Sequence, residues 1–443
     1  MINKDREITE KRKNTFKDEV KEDSLIEKSP KKLFKMMEEE NFGEEIQQLW
    51  SQGNSDRSMW LTRQQAFLDE YDEMLDPIIE APASWAADLH LPVSFTIAKT
   101  FHARFYAAVM GQEPICNVKA RTAANEERTQ MVQDLMSYTM KSWANDYNGI
   151  EEEMDSFIWN WVTRGTAIFK TSWEKKFSRI VDAVKKQVPI LQYVVNPETG
   201  EEEVVEGVQE VESEEEVTII DCDAPKIKRI APEDLLVIGG DGDIDSADAV
   251  IEQLFMNASD LWSLVDQGIF DEDAVKEIIE AGNNNKSGQV NNGIKTQQIE
   301  KSGETNLDKA YDLDQYRILE AYVKKDVFES GINSDIVVWV HPDSGRLLRA
   351  TFLHRINKKT KKRPYQKADF YKREGQVYGI GLIELTYSLC KEIDALNNLA
   401  MDFGLLSSMP FGYFRATSNL SQESIPIEPG SLIPVDDPSS ILF

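Results

Sequence analysis

Cysteine is scarce in this chain. Cys116, Cys222 and Cys390 are scattered along 443 residues. An odd, low count without metal-ligand spacing excludes a disulfide framework and fits a reducing compartment. Histidine is as sparse: His90, His102, His341 and His354 stand far apart and form no H-E-x-x-H or H-x-H pair. There is no G-x-x-x-x-G-K-[ST] phosphate loop, no G-x-S-x-G elbow and no G-x-G-x-x-G fingerprint. Carboxylates abound but none lies in a recognisable acid/base pair, so the chain reads as a non-enzyme that calls for no cofactor. Long hydrophobic runs are also missing. The most apolar stretch, 91–110, is broken by Lys99, His102 and Arg104 and does not span a membrane. The opening MINKDREITEKRKNTF has no apolar signal core. Positive charge is outnumbered, 50 Lys and Arg against 78 Asp and Glu, for a net charge of -28. That argues against an ordinary nucleic-acid binder, whose affinity comes from basic side chains displacing counterions. It suits a protein that must not hold DNA, or solubility alone.

What is present organises around one stretch, Tyr378 to Pro438. Gly375, Gly379 and Gly381 punctuate a turn. Leu382, Leu385, Leu389, Ile393, Leu396, Leu399 and Phe403 then recur at steps of three and four, which predicts a helix with one apolar face over 382–409. Glu384, Lys391, Asp394, Asn398 and Asp402 mark the other face. About 25 residues at 1.5 Å each make a rod of roughly 38 Å. Pro410 stops it, and Pro426, Pro429, Gly430, Pro434 and Pro438 cut the remaining stretch into short pieces.

Upstream, residues 1–30 mix charges of both signs and read as a mobile arm. Helices are predicted from Pro30 to Glu40, over 44–52, 59–75 and 91–111, from Glu126 to Trp143 and from Ile150 to Arg164. In the 91–111 helix Val93, Ile97, Phe101, Phe105 and Val109 recur every four residues. Met131, Leu135, Tyr138 and Trp143 are expected at a core, as are Phe157, Trp159 and Trp161. Residues 174–231 read as a long hairpin around the turn 196–200, its acidic arm a solvent-exposed protrusion or disordered. Helices over 257–281, a polar loop over 282–306, and strands over 316–327, 336–340 and 347–354 complete the pattern.

Two segments carry charge worth weighing. Asp241, Asp243 and Asp245, with Glu252 at position twelve, match a calcium loop, but Ser246 stands where the sharp turn needs glycine. A solvated acidic turn is the stronger reading, and a calcium-dependent binding module the weaker. Eight basic residues fall between 358 and 373, among them Lys358, Lys359, Lys361, Lys362 and Arg363. They fit a lysine-rich loop, a contact with an acidic face of a neighbouring copy, or a contact with DNA phosphate.

The order of pieces resembles the tailed-bacteriophage portal proteins of podovirus type, the head-tail connectors. The residues that carry it are Y-G-x-G before the long helix, the I-D-x-L-N-N core at 393–398, M-P-F-G at 409–412 and P-G-x-x-I-P-V-D-D at 429–437. Upstream, Q-x-P-x-x-x-V at 112–118, the helix–Gly165–strand order and A-P-E-D-L at 231–235 add to it. The resemblance implies an α+β portal fold. It divides into a charged arm over 1–44, a helical wing over 45–180, the hairpin and helical part of the wing over 181–310, and its β-meander over 311–381. The first stem helix takes 382–409 and the start of a β-rich clip 410–443. The chain would then stop at Phe443 inside the clip, before a second stem helix.

The function implied is that of a subunit of a dodecameric ring at the unique capsid vertex, assembled in the host cytoplasm. Double-stranded DNA would pass through it during packaging and ejection. Its partners would be the major capsid protein, the terminase large subunit and tail or adaptor proteins, with no membrane involved. Leu385, Leu389, Ile393, Leu396 and Leu399 would pack against wing helices or neighbouring stems, and the polar face would meet the channel or the next subunit. Phe411, Tyr413, Pro434 and Asp436 would meet docking partners. A capsid- or tail-associated adaptor that is not a portal is the alternative.

Overall fold

The computed structural model describes residues 30–72, 85–120, 122, 126–141, 150–195, 202–284, 315–328, 331–358, 360–409, 412–415, 429–430 and 432–435. Residues 1–29 of the expected N-terminal arm, the turn 196–200, nearly all of the polar loop 282–306, and Trp143, Lys359, Phe411 and Asp436 lie outside the described residues, whereas residues 30–44, also assigned to that arm, are mostly helical and carry Leu33, Met37 and Phe42 into the core. The chain forms two compact units: Met1–Ile115, Glu153–Lys170 and Arg229–Phe443 make the first, Cys116–Glu152 and Thr171–Lys228 the second.

The first unit is built on a five-stranded antiparallel sheet of order β3-β4-β5-β6-β7. Its strands are β3 (Leu235–Ile238), β4 (Ala249–Asn257), β5 (Gln315–Lys325), β6 (Ser334–His341) and β7 (Arg346–Phe352). Alternation along the strands sends successive side chains to opposite faces. Ala249, Ile251, Leu319, Ala321, Val338 and Val340 face helices α1 (Pro30–Glu39) and α2 (Phe42–Asp56), which contribute Leu33, Met37, Phe42, Ile46 and Trp50. Val250, Ile318, Tyr322, Val337 and Trp339 face the other way. There they meet Leu261 of α7 (Ala258–Asp266) and Val275 and Ile278 of α8 (Glu272–Asn284). Asn257 caps α7, its side chain and that of Asp260 closing a capping box.

Beside the sheet lies a helical layer: α3 (Ser58–Tyr71), α4 (Val93–Met110), α6 (Glu151–Arg164) and the start of α10 (Leu382–Ser408). Its core is Phe67, Tyr71, Ala98, Ile158, Val162, Leu382 and Ile383. The aromatic residues of α6 pack as expected of core: Phe157 stacks on Phe169, and Trp161 meets Phe105 and Phe370 edge-on. Helix α4 departs from expectation. Its inward side is Ser94, Ala98 and His102, while Phe101 and Val109 are exposed. A row repeating every four residues drifts by about 40° per step around a helix of 3.6 residues per turn, so it cannot hold one face over four steps.

Strand β1 (Thr166–Val195) begins against β8 (Tyr365–Asp369) and runs on as one arm of a hairpin with β2 (Glu202–Ile230). The second unit holds most of that hairpin and α5 (Glu126–Lys141). Here another expectation fails. Met131, Leu135 and Tyr138 are 73%, 62% and 70% exposed. Among the described residues of this unit the core is Cys222 with Met140, Ala224 and Ile227, which meets α5 near its end. The predicted strand to His354 stops at Phe352, where the short helix α9 (Leu353–Ile356) begins. After α10, β9 (Gly412–Arg415) and β10 (Leu432–Val435) pair in parallel.

Candidate functional site

The long helix α10 is placed by a backbone contact. Gly165, between α6 and β1, has φ of 81° and lies against the backbone of Ile380 and Gly381. A Cβ on Gly381 would fall 2.3 Å from the Thr163 carbonyl oxygen and 2.9 Å from the Gly165 nitrogen. Two turns thus meet main chain to main chain, which only glycine permits. The Gly379 amide also donates to Thr166 Oγ1 at 2.7 Å.

From there the polar side of α10 turns inward. Asp394 Oδ1 accepts from the Leu91 amide at 3.0 Å, Asn398 Oδ1 from Leu89 at 3.0 Å and Asp402 Oδ1 from Ala87 at 2.7 Å. Every fourth residue of the helix reads every second amide of the segment ahead of α4. Four helical residues advance about 6 Å and two residues of stretched chain about 6.6 Å, so the two ladders stay in step. His90 Nδ1 lies 3.2 Å from Asp394 Oδ2. Nearer the start, Glu384 accepts from Arg63 at 2.6 Å and Arg373 at 2.8 Å. This corrects the expectation for the polar face: free backbone donors of the same chain need acceptors, and these side chains supply them.

The apolar stripe is left outward. Leu385, Leu389, Ile393, Leu396 and Leu399 are exposed, by 40% at Ile393 up to 64% at Leu399, and Phe403 by 72%. No helix among the described residues covers them. Contiguous apolar stripes at a surface mark protein–protein or membrane contacts or ligand grooves.

Below the helical layer lies a cluster that the sequence reading missed. Glu252 on β4 and Glu320 on β5 stand directly opposite in register. Lys170 of β1 donates to both carboxylates at 2.5 Å. Tyr365 donates to Glu252 at 2.8 Å and Tyr322 to Glu320 at 2.6 Å. Burial pushes the Glu252 carboxyl up, against the pull of Lys170. Burial alone would lower the Lys170 ammonium, but Glu320 and Glu252 outweigh it and hold it above its ordinary value. Burial and the adjoining carboxylates raise both tyrosines well above theirs, so both stay protonated donors. The one available signal was a lone glutamate in each apolar run, AVIEQLF and RILEAYV.

That placement overturns the calcium candidate. Glu252 is inside a strand with a lysine ammonium on it, whereas Asp241, Asp243 and Asp245 sit on the preceding loop. Among the described residues no group of His, Cys, Asp and Glu is arranged to hold a metal ion. The acidic loop instead meets the basic segment. Lys362 pairs with Asp245 at 3.0 Å, buried Arg363 donates to the Ile244 carbonyl at 2.8 Å, and Lys358 and Lys361 remain exposed. Tyr413 is half-buried on β9 opposite Ile433, and Pro434 lies opposite Phe414. No helix of the described residues is long and apolar enough to cross a membrane.

A chain with these features has a mixed helix-and-sheet fold. The family model of the phage SU10 portal protein matches residues 98–396, about two thirds of its length, and the chain belongs to that family of phage portal proteins. The family is structural, and its members are virion components. The reading as a non-portal adaptor is thereby set aside. The match ends at Leu396, ahead of the M-P-F-G and P-G-x-x-I-P-V-D-D segments. None of the curated proteins compared with this chain matches it.

Proposed function

We propose that this chain is the portal vertex subunit of a tailed phage. Copies of it close a dodecameric ring, the channel for DNA packaging and ejection, and the ring carries the docking platform for terminase and tail or adaptor proteins. The observation that carries this reading is the α10 stripe. Its polar side is consumed by the chain's own segment 87–91, and its apolar side stays open over five turns. Residues 382–409 are then the first stem helix, the five-stranded sheet with its helices and the hairpin form the wing, and β9 and β10 begin the clip. The net charge of -28 keeps DNA passing through the channel without adhesion. Negative-stain microscopy of the purified protein tests the reading. Rings of uniform size with an open centre are expected; a monodisperse monomer at all concentrations overturns it.

A further inference from the structure

Resting on the ring reading, the structure also indicates which surface covers the α10 stripe. Leu385, Leu389, Glu392, Leu396, Leu399 and Phe403 step by four, three, four, three and four, the spacing of a helix seam. All are exposed, and Glu392 is the one charge among them, without an ion pair among the described residues. Two copies meeting stripe to stripe would make an isologous contact, which closes at two and sets Glu392 near its own copy. A ring needs a heterologous contact, in which the stripe meets a different face of the next copy.

Helix α4 offers that face. With Ser94, Ala98 and His102 turned inward, Phe101, Arg104 and Ala108 point to the surface. Ile97, half-buried, extends the row, again at four, three and four. Val93–Met110 contains Lys99 and Arg104 and no acid. Arg104 makes no ion pair among the described residues. The long helix carries Glu384, Glu392, Asp394 and Asp402 against Lys391 alone. Each seam therefore has one charge at an otherwise apolar or small position, and the two are opposite in sign. A polar residue within a seam fixes register at a cost in stability unless its partner is supplied.

We propose that the α10 seam of one subunit packs on the outer face of α4 of the next, with Glu392 paired to Arg104 as the key that sets the register. The test is ring assembly across a dilution series, read by mass photometry, for wild type, Glu392→Arg, Arg104→Glu and the double variant. Both side chains are exposed, so thermal unfolding of the dissociated subunits should match wild type. Each single variant should raise the concentration of half-assembly by about tenfold or more, and the double should return it to within about threefold of wild type. Singles that assemble like wild type, or a double no better than the singles, overturn the pairing while leaving the ring itself standing. A wild type that forms no rings overturns the ring reading and this contact with it.

Discussion

Replacing Lys170 with methionine should be among the most damaging single changes in this protein, and its cost should depend on pH in a calculable way. The ammonium holds apart two buried carboxylates that face each other across β4 and β5. Breaking a buried ion pair by removing one partner costs about 3–5 kcal/mol. The protein has one escape, which is to protonate a carboxyl. At pH 7, keeping a group of ordinary pKa about 4.3 neutral costs about 3.7 kcal/mol, at 1.36 kcal/mol per unit. The two figures agree. At pH 5 the same escape costs only about 1 kcal/mol. Urea unfolding of wild type and Lys170→Met, compared at each pH, reads the difference directly. We expect a loss of about 4 kcal/mol at pH 7 shrinking to about 1–2 at pH 5, and recovery of most of the pH 7 loss when Glu252→Gln is added. Equal losses at the two pH values, or a loss below about 1 kcal/mol at pH 7, would refute the account of the cluster.

Two further outcomes rest on the same structure. Gly381→Ala forces a Cβ to 2.3 Å from the Thr163 carbonyl, so it should cost about 2–3 kcal/mol in thermal or urea unfolding; a neutral result would mean the two turns can part freely. Burial holds the His341 imidazole below its ordinary value, Asp343 acting against it and Arg317 with it. Above about pH 6.5 it is neutral in both states, and on acidification the unfolded chain takes the proton first, so its stabilising share is lost as pH falls through the folded pKa. Stability should therefore decline from pH 7 to 5, and His341→Gln should flatten part of that slope; an unchanged slope counts against it.

Much of the architecture was legible because its signals are local. The helix Leu382–Ser408 is bounded by Gly381 and Pro410, and β5 and β6 follow from alternation. What could not be read was which way each face turns. The three and four spacing of Leu385 to Phe403 identifies an apolar side, and an apolar side is ordinarily the buried one. Here the amides of Ala87, Leu89 and Leu91, some three hundred positions away, claim the opposite side, and no local pattern announces that. The calcium reading failed for a related reason. Glu252 belongs to β4 and answers to Lys170 and Tyr365, both far off in sequence, and not to the three aspartates near it. The basic segment and the acidic loop each looked like a site alone, and folding sets them against each other at Lys362 and Arg363.

The ladder between α10 and the segment ahead of α4 also governs what substitution can do there. It reads amide hydrogens, so the identity of residues 87, 89 and 91 does not enter it, and proline, which has no amide hydrogen, is the one residue barred from those positions. The chain does use a proline close by, but at Pro92, the N-cap of α4, where no rung falls. Drift among the other residue types in this segment is silent to the ladder, whereas loss of a single acceptor at 394, 398 or 402 removes a rung. The burden of constancy thus falls on the helix that does the holding, and the held strip is free to wander in sequence.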